Sequence, residues 1–167
     1  DPECKATLSS NRYTCNDFMN TEWEKIWTQS WIFAGLESDL KEVGDFFVYD
    51  IGRESIIITR NENNDISAFY NVCQHRGNKI FTLEWGSVKK VSCPYHGWTY
   101  GLDGKLKKVP DEELFEGGVP CDEKSLKLVH VETWAGLVFI NMNKNSASLK
   151  TFLGTIMDQL NPYHFEN

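Results

Sequence analysis

The sequence predicts a mainly β domain built of antiparallel sheets, with one α-helix at its N-terminal end and another at its C-terminal end. Three observations carry this. Short segments rich in β-branched and aromatic residues follow one another between positions 43 and 142, turn chemistry separates them, and helical spacing of apolar residues is confined to the two ends. A chain of 167 residues holds one domain with a substantial core. The expected division is an N-terminal arm and opening helix over 1–34, the β domain over 35–145, and an amphipathic helix over 146–167.

Residues 1–15 read as a polar, irregular arm. From Asn16 the pattern turns helical: Phe18, Trp23, Ile26, Trp27 and Trp31 approximate one face, with Asn16 or Asp17 as cap and core packing as the expected role of the tryptophans. After Gly35 the strands begin. VGDFFVYDIG, ESIIITR and DISAFYNV are strand segments, and 61–65 (NENND) connects the last two as a hairpin. A strand over Val88–Cys93 follows, then a tight turn at Asp103-Gly104. Residues 110–125 form a surface excursion. LKLVHVET and GLVFINM are the last strands, joined at Trp134-Ala135-Gly136. Leu149, Phe152, Leu153, Ile156, Met157 and Leu160 then follow the i, i+3, i+4, i+7 series, capped by Ser146 or Ser148 and stopped at Pro162.

Composition narrows the function. Hydrophobic residues make up 41% and aromatics 13%, which belongs to a folded protein. A net charge of −7 argues against a nucleic-acid binder, which needs a basic surface to neutralise phosphates. The longest apolar runs, Ile56–Ile58 and Leu137–Ile140, fall far short of a membrane span. No secretory signal is read, and five cysteines at 4, 15, 73, 93 and 121 match no small disulfide scaffold. These features predict a reducing, cytoplasmic setting in which thiolates are available to bind metal.

Two loops concentrate that chemistry: CQHRG at 73–77 and CPYHGW at 93–98. Each carries one Cys–His pair, Cys73-x-His75 and Cys93-x-x-His96. Three readings are open. Buried cysteines with locally satisfied histidines would be accidental neighbours, yet both pairs sit among polar and turn residues. Structural zinc takes mixed Cys and His ligands, but its usual spacings are C-x₂₋₄-C and H-x₃₋₅-H, whereas each loop here is mixed. A [2Fe–2S] cluster with two thiolates on one iron and two imidazoles on the other explains the mixed pairs directly, since each loop then supplies one ligand to each iron. Two ferric ions, two sulfides and two thiolates sum to zero charge, where four thiolates leave −2. Reduction of a neutral centre is easier, and potentials accordingly run from about −150 to +300 mV against about −400 mV for plant-type ferredoxins.

The paired motifs C-x-H-R-G and C-P-Y-H-G-W resemble the N-terminal Rieske [2Fe–2S] domain of the non-haem iron oxygenase α subunits, the ring-hydroxylating enzymes and their choline-monooxygenase-like relatives. WEKIWTQSWIFAG, FYNVCQHRG, CPYHGWTYGLDGKL and VETWAGLVFINM are similar to family segments as well, so the resemblance runs over about residues 17–165. It implies a Rieske domain whose cluster loops are 73–78 and 93–98, with Cys73, His75, Cys93 and His96 as the metal ligands. Arg76, Gly77, Tyr95, Gly97 and Trp98 complete the cofactor-binding loops. Gly77 and Gly97 permit tight loop geometry, Pro94 stiffens the second loop, and Arg76 is either a structural anchor or an interface residue. The cytochrome bc type carries an additional disulfide between its loops; Asn78 and Tyr95 stand in those places here. Trp98 also replaces that type's serine donor, while Tyr100 keeps a hydroxyl nearby, so a low-potential centre is expected.

The resemblance further implies a mononuclear iron held by two histidines and a carboxylate in a C-terminal catalytic domain. Its N-x₃-D-x₂-H-x₄-H motif is not in this sequence. Of the remaining histidines, His130 in an apolar strand is expected to be a hydrogen-bonded structural residue, and His164 a linker residue. The implied role is electron delivery from a reductase or ferredoxin to that iron, in a protein whose subunits form a homotrimer and whose exposed His75 and His96 face the catalytic domain. Two other roles stay open: a free-standing Rieske-type ferredoxin and a zinc-stabilised interaction module. The final amphipathic helix favours a part of a longer oxygenase. Lys89, Lys90, Lys105, Lys107 and Lys108 surround the second loop, either as strand-edge protection or as a steering surface for an acidic ferredoxin.

Overall fold

The computed structural model describes residues 8–110 and 112–165. Its strands form three antiparallel sheets, in the orders β1-β10-β9, β4-β3-β2-β5 and β6-β7-β8. The first contains β1 (Ile32–Leu36), β9 (His130–Trp134) and β10 (Leu137–Asn141); the second β2 (Asp45–Ile51), β3 (Glu54–Arg60), β4 (Ile66–Tyr70) and β5 (Trp85–Ser87); the third β6 (Val91–Ser92), β7 (Thr99–Tyr100) and β8 (Leu106–Lys108).

Strand β3 is the hinge of the architecture. Ile56 and Ile58 point to one face and Ile57 to the other, as strand alternation requires, and all three are fully buried. Ile56 and Ile58 join Leu40, Ala68, Val129, Val138 and Ile140 in a core against the first sheet. Ile57 joins a second core on the other side, with Phe46, Phe69, Val91, Trp98, Tyr100 and both loop cysteines. The Thr59 hydroxyl donates to the Leu102 carbonyl at 2.7 Å and ties the second sheet to the third. Arg60 is buried beside it, its guanidinium donating to the carbonyls of Leu40 (2.8 Å) and Asn64 (3.0 Å) and to the Glu37 carboxylate (3.3 Å).

Most strand expectations hold, as do the hairpin at 61–65 and the turns at Asp103-Gly104 and Ala135-Gly136, where Gly104, Ala135 and Gly136 all take positive φ. Four differ. Of the arm read over 1–15, residues 1–7 lie outside the described residues, and the remainder contains a helical turn, α1 (Asn11–Thr14). Strand β1 opens at Ile32, before the onset read at Gly35, and pairs with β10. The strand read over Val88–Cys93 is confined to β6 (Val91–Ser92), and β5, in the second sheet, ends just before that range at Ser87. The Val88 N–H bonds back to Gly44 at 2.9 Å, which ends pairing with the second sheet and leaves Lys89-Lys90 to carry the chain into the third.

The fourth difference is at both ends. The opening helix is α2 (Asn16–Glu22) followed by a π turn over Trp23–Trp27, closed by a Thr28 N–H bond to the Trp23 carbonyl. The wider π turn rotates later residues off the 3.6-residue face, so Ile26 and Trp27 are exposed. Core packing holds fully only for Trp31, beyond the helix, whose indole N–H donates to the Ala147 carbonyl at 2.9 Å. The C-terminal helix is likewise two: α3 (Leu149–Leu153), capped by the Ser148 hydroxyl, and α4 (Ile156–Leu160). Gly154 at φ +53° breaks them, and Leu149 is the one buried residue of the apolar series.

Candidate metal centre

Both Cys–His loops close in the same way. In the first, the Cys73 N–H donates to the Asn78 carbonyl (2.9 Å) and the Gly77 N–H to the Cys73 carbonyl (2.9 Å); in the second, Cys93 N–H donates to Trp98 (2.8 Å) and Gly97 N–H to Cys93 (3.0 Å). Each turn reverses on a glycine at positive φ, +75° at Gly77 and +70° at Gly97, a conformation that side chains with a Cβ resist. Neither position crowds an added Cβ through side chains: none lies within 4 Å at Gly77, and Pro110 is at 3.4 Å at Gly97. Backbone conformation is what calls for glycine there.

The first loop is clamped at its base by Asn71, a residue the sequence reading passed over. It is 1% exposed. Its carbonyl oxygen accepts from the N–H groups of Ile80 and Phe81 (both 2.9 Å), and its amide donates to the Phe81 carbonyl (2.8 Å) and the Ser55 hydroxyl (3.2 Å). The chain leaving β4 is thereby bound to its own return. A lone asparagine between an aromatic strand and the ligand loop was the available signal.

The structure sorts the four candidate ligands by kind. Cys73 and Cys93 are both buried, in the second core, and the Cys93 thiol opposes ionisation of Cys73. His75 and His96 are half-buried above them, with Nδ1 atoms 3.1 Å apart and rings edge to face. Among the described residues, no three His, Cys, Asp or Glu side chains converge on one metal-ion position. A single tetrahedral ion drawing on all four, as structural zinc does, does not match this arrangement. A two-metal group with a thiolate end in the interior and an imidazole end towards the surface does.

Electrostatics support each end differently. Burial pushes the Cys73 thiol up, against the pull of the Tyr100 hydroxyl and the His75 backbone N–H. Such a thiol ionises readily only when a cation is there to bind it. The Tyr100 hydroxyl lies 3.3 Å from the Cys73 sulfur and accepts from the Gln74 N–H at 3.1 Å, so its own proton is available to the sulfur once the thiol is ionised. Burial, and then the Cys73 contact, raise the Tyr100 pKa. His75 is held below the ordinary histidine range, first by burial and then by the nearby His96. A neutral imidazole is the form that ligates metal.

Aromatic rings wall the imidazole end. Trp98 lies parallel to His75 at 4.9 Å and 5°, Tyr95 covers His96 at 3.8 Å, and Phe115 meets the Trp98 edge at 6.5 Å. Phe115 belongs to the excursion over 110–125, and nothing in its sequence marked it. Tyr95 is 62% exposed and Trp98 is buried. Arg76 is exposed and makes no hydrogen bond or ion pair among the described residues, so its contribution is long-range charge beside His75. The two remaining histidines lie apart. His130 bonds Ser146 through Nδ1 (2.9 Å) and approaches Glu132 through Nε2 (3.3 Å), the structural role expected of it.

A family model described as the Rieske [2Fe–2S] domain matches residues 30–127. The oxygenase subunit of glycine betaine monooxygenase from Pseudomonas aeruginosa (strain UCBPP-PA14) is 35% identical over 151 residues, covering 87% of this chain and 34% of that protein. The α subunit of biphenyl 2,3-dioxygenase from Rhodococcus jostii (strain RHA1) is 34% identical over 147 residues, covering 88% and 32%. Among solved structures, the quaternary ammonium Rieske monooxygenase CntA in complex with L-carnitine superposes with a TM-score of 0.89 at 31% identity, over 96% of this chain and 46% of that one. Naphthalene 1,2-dioxygenase from Rhodococcus sp. gives 0.82 at 30%, over 87% and 33%. The chain spans about a third of the length of the curated relatives it matches.

Proposed function

The chain belongs to the Rieske [2Fe–2S] domain family, and we propose that it carries single electrons from a reductase or ferredoxin to the mononuclear iron of an oxygenase catalytic domain. The observation that supports this best is the sorting of the two loops' side chains, thiols inward and imidazoles outward, by hairpins of identical closure. In this reading Cys73 and Cys93 bind one iron and His75 and His96 the other. When bound, the cluster supplies a one-electron store.

The chain's own residues set the conditions for that store. Tyr100 holds its proton at the Cys73 sulfur and favours added negative charge there. Trp98 and Phe115 keep water from the flank of His75. Gly77 and Gly97 give the two turns their reversal. His75 and His96 reach the surface, where a catalytic domain, from the same or a neighbouring subunit of a homotrimer, would meet them. Residues 35–145 would be the cluster-binding domain, with the opening helix before it and 146–167 leading towards the catalytic domain. A reducing cytoplasm suits the free thiols of Cys15, Cys73, Cys93 and Cys121. Among the described residues no helix is long and apolar enough to cross a membrane.

Iron and acid-labile sulfide analysis on anaerobically purified protein, with EPR after dithionite reduction, tests the reading. Equal iron and sulfide, two of each per chain, and a rhombic Rieske-type signal are expected. Stoichiometric zinc with no signal would overturn it.

A further inference from the structure

The third sheet carries a concentration of positive charge that the cluster site does not use. Between Gly86 and Pro110 stand five lysines and one acidic residue, Asp103, in a chain whose net charge is −7. Asp103 is paired with Lys105 at 3.5 Å. Lys89, Lys90, Lys107 and Lys108 are exposed and form no ion pair among the described residues. Protection of strand edges explains lysines beside β6 and β8, the outer strands of this sheet. It does not explain their convergence. Lys90 and Lys108 come from opposite edges yet line one open hollow of about 590 Å³, whose remaining wall includes Gly97 and Thr99. Thr99 pairs with Lys108 across β7–β8, and Gly97 follows the ligand His96 directly. Glu112 and Glu113 close the far side of the same hollow.

We propose that this hollow is the landing surface for an acidic face of the electron-donor protein, with Lys90 and Lys108 as its attractive contacts and Glu112 and Glu113 as an opposing rim. The inference rests on the electron-carrying reading above and deepens it by locating the donor. Lys90 and Lys108 in the hollow, with the unpaired Lys89 and Lys107 outside it, attract a carboxylate-rich surface over a distance of about a Debye length. Against the overall negative charge of the molecule they also fix which side such a partner approaches. The two glutamates limit how long it stays.

Stopped-flow reduction of the cluster-loaded protein tests this with two reductants: a reduced, acidic plant-type [2Fe–2S] ferredoxin, and photoreduced deazariboflavin as a small probe without a docking face. Lys90→Glu/Lys108→Glu should slow reduction by the ferredoxin about tenfold at low salt and flatten its salt dependence. Glu112→Gln/Glu113→Gln should speed it. Reduction by deazariboflavin should be the same in all three proteins, which also shows that the variants fold and hold their cluster. Equal ferredoxin rates in the wild type and both variants, with normal deazariboflavin rates, would overturn the docking surface and leave the electron-carrying reading intact. Failure of the ferredoxin alone to reduce the wild type would likewise overturn the docking surface, whereas failure of deazariboflavin would overturn the electron-carrying reading itself.

Discussion

Tyr100 is the residue at which the fold touches the redox chemistry most directly. Fully buried on β7, it accepts from the Gln74 N–H and stands 3.3 Å from the Cys73 sulfur, to which it donates when that sulfur is a thiolate. A donor aimed at sulfur stabilises the more negative, reduced state. A net hydrogen bond is worth about 1 kcal/mol, which for a one-electron couple is about 40 mV. Tyr100→Phe should therefore lower the midpoint potential by about 40 mV in a spectroelectrochemical titration, while the EPR signal keeps its shape; an unchanged potential would place the proton elsewhere. Asp50 gives a pH-dependent contribution at the other side of the first loop. The Ser55 hydroxyl holds its carboxyl below the usual carboxylate range against the opposing effect of burial, and the Lys79 ammonium at 3.1 Å adds to the depression. A depressed folded pKa means stability that is present above the unfolded value of about 3.9 and is lost as pH falls through the folded one. Both partners are exposed, so the contribution is below about 1 kcal/mol. In urea unfolding, Asp50→Asn should be less stable than wild type at pH 6, and the gap should close by about pH 3. The four candidate ligands were legible because Cys and His are rare and their spacing is paired. Asn71 and Phe115 were not, since their roles depend on what the fold brings opposite them.

At the scale of elements, the strands were legible and the helices only partly so. ESIIITR announces a strand buried on both faces, because an unbroken β-branched run leaves no polar side for solvent. The single strand read over Val88–Cys93 failed for a different reason. Its late start at Val91 follows a backbone bond from Val88 to Gly44, forty-four residues earlier in sequence, that closes β5 first, and no local pattern records that. The opening helix shows the same limit. Its periodicity was real, but the π turn at Trp23–Trp27 shifts the face, and its anchorage lies on the β2–β3 hairpin. There Gly52, at φ +56°, opens a two-residue turn. A Cβ on Gly52 would come within 2.2 Å of the Trp23 ring, and Arg53 adds a cation over that ring at 5.5 Å and a hydrogen bond to Asn20 at 3.2 Å. Gly52→Ala should thus cost about 1–2 kcal/mol from the left-handed backbone alone and dislodge the helix as well. Limited proteolysis should then cut near residue 27 faster than in wild type. An unchanged digestion rate would mean that the helix is held by contacts other than this turn.

For the molecule as a whole, the consequence of two cores on opposite faces of β3 is that stability is divided. The core against the first sheet consists of aliphatic packing, Ile56 and Ile58 on Val138 and Ile140, and owes nothing to metal. The second core includes Cys73 and Cys93 among its buried members, and its third sheet is made of strands two to three residues long. Strands that short have little ladder of their own, so the hairpins at 73–78 and 93–98 depend on whatever joins their tips. Metal binding is folding free energy for a part built this way. Removing iron by anaerobic chelation should loosen the second core and spare the first. In hydrogen exchange, the amides of Cys73, Cys93 and Tyr100 should then exchange about tenfold faster or more, while those of Ile58 and Ile140 keep the rates of the loaded protein. The buried Cys73 thiol adds to the asymmetry, since without a cation it returns to the neutral form that burial favours. Uniform acceleration across both cores would show a single cooperative unit; no acceleration anywhere would show that Asn71 and the two glycine turns hold the loops by themselves.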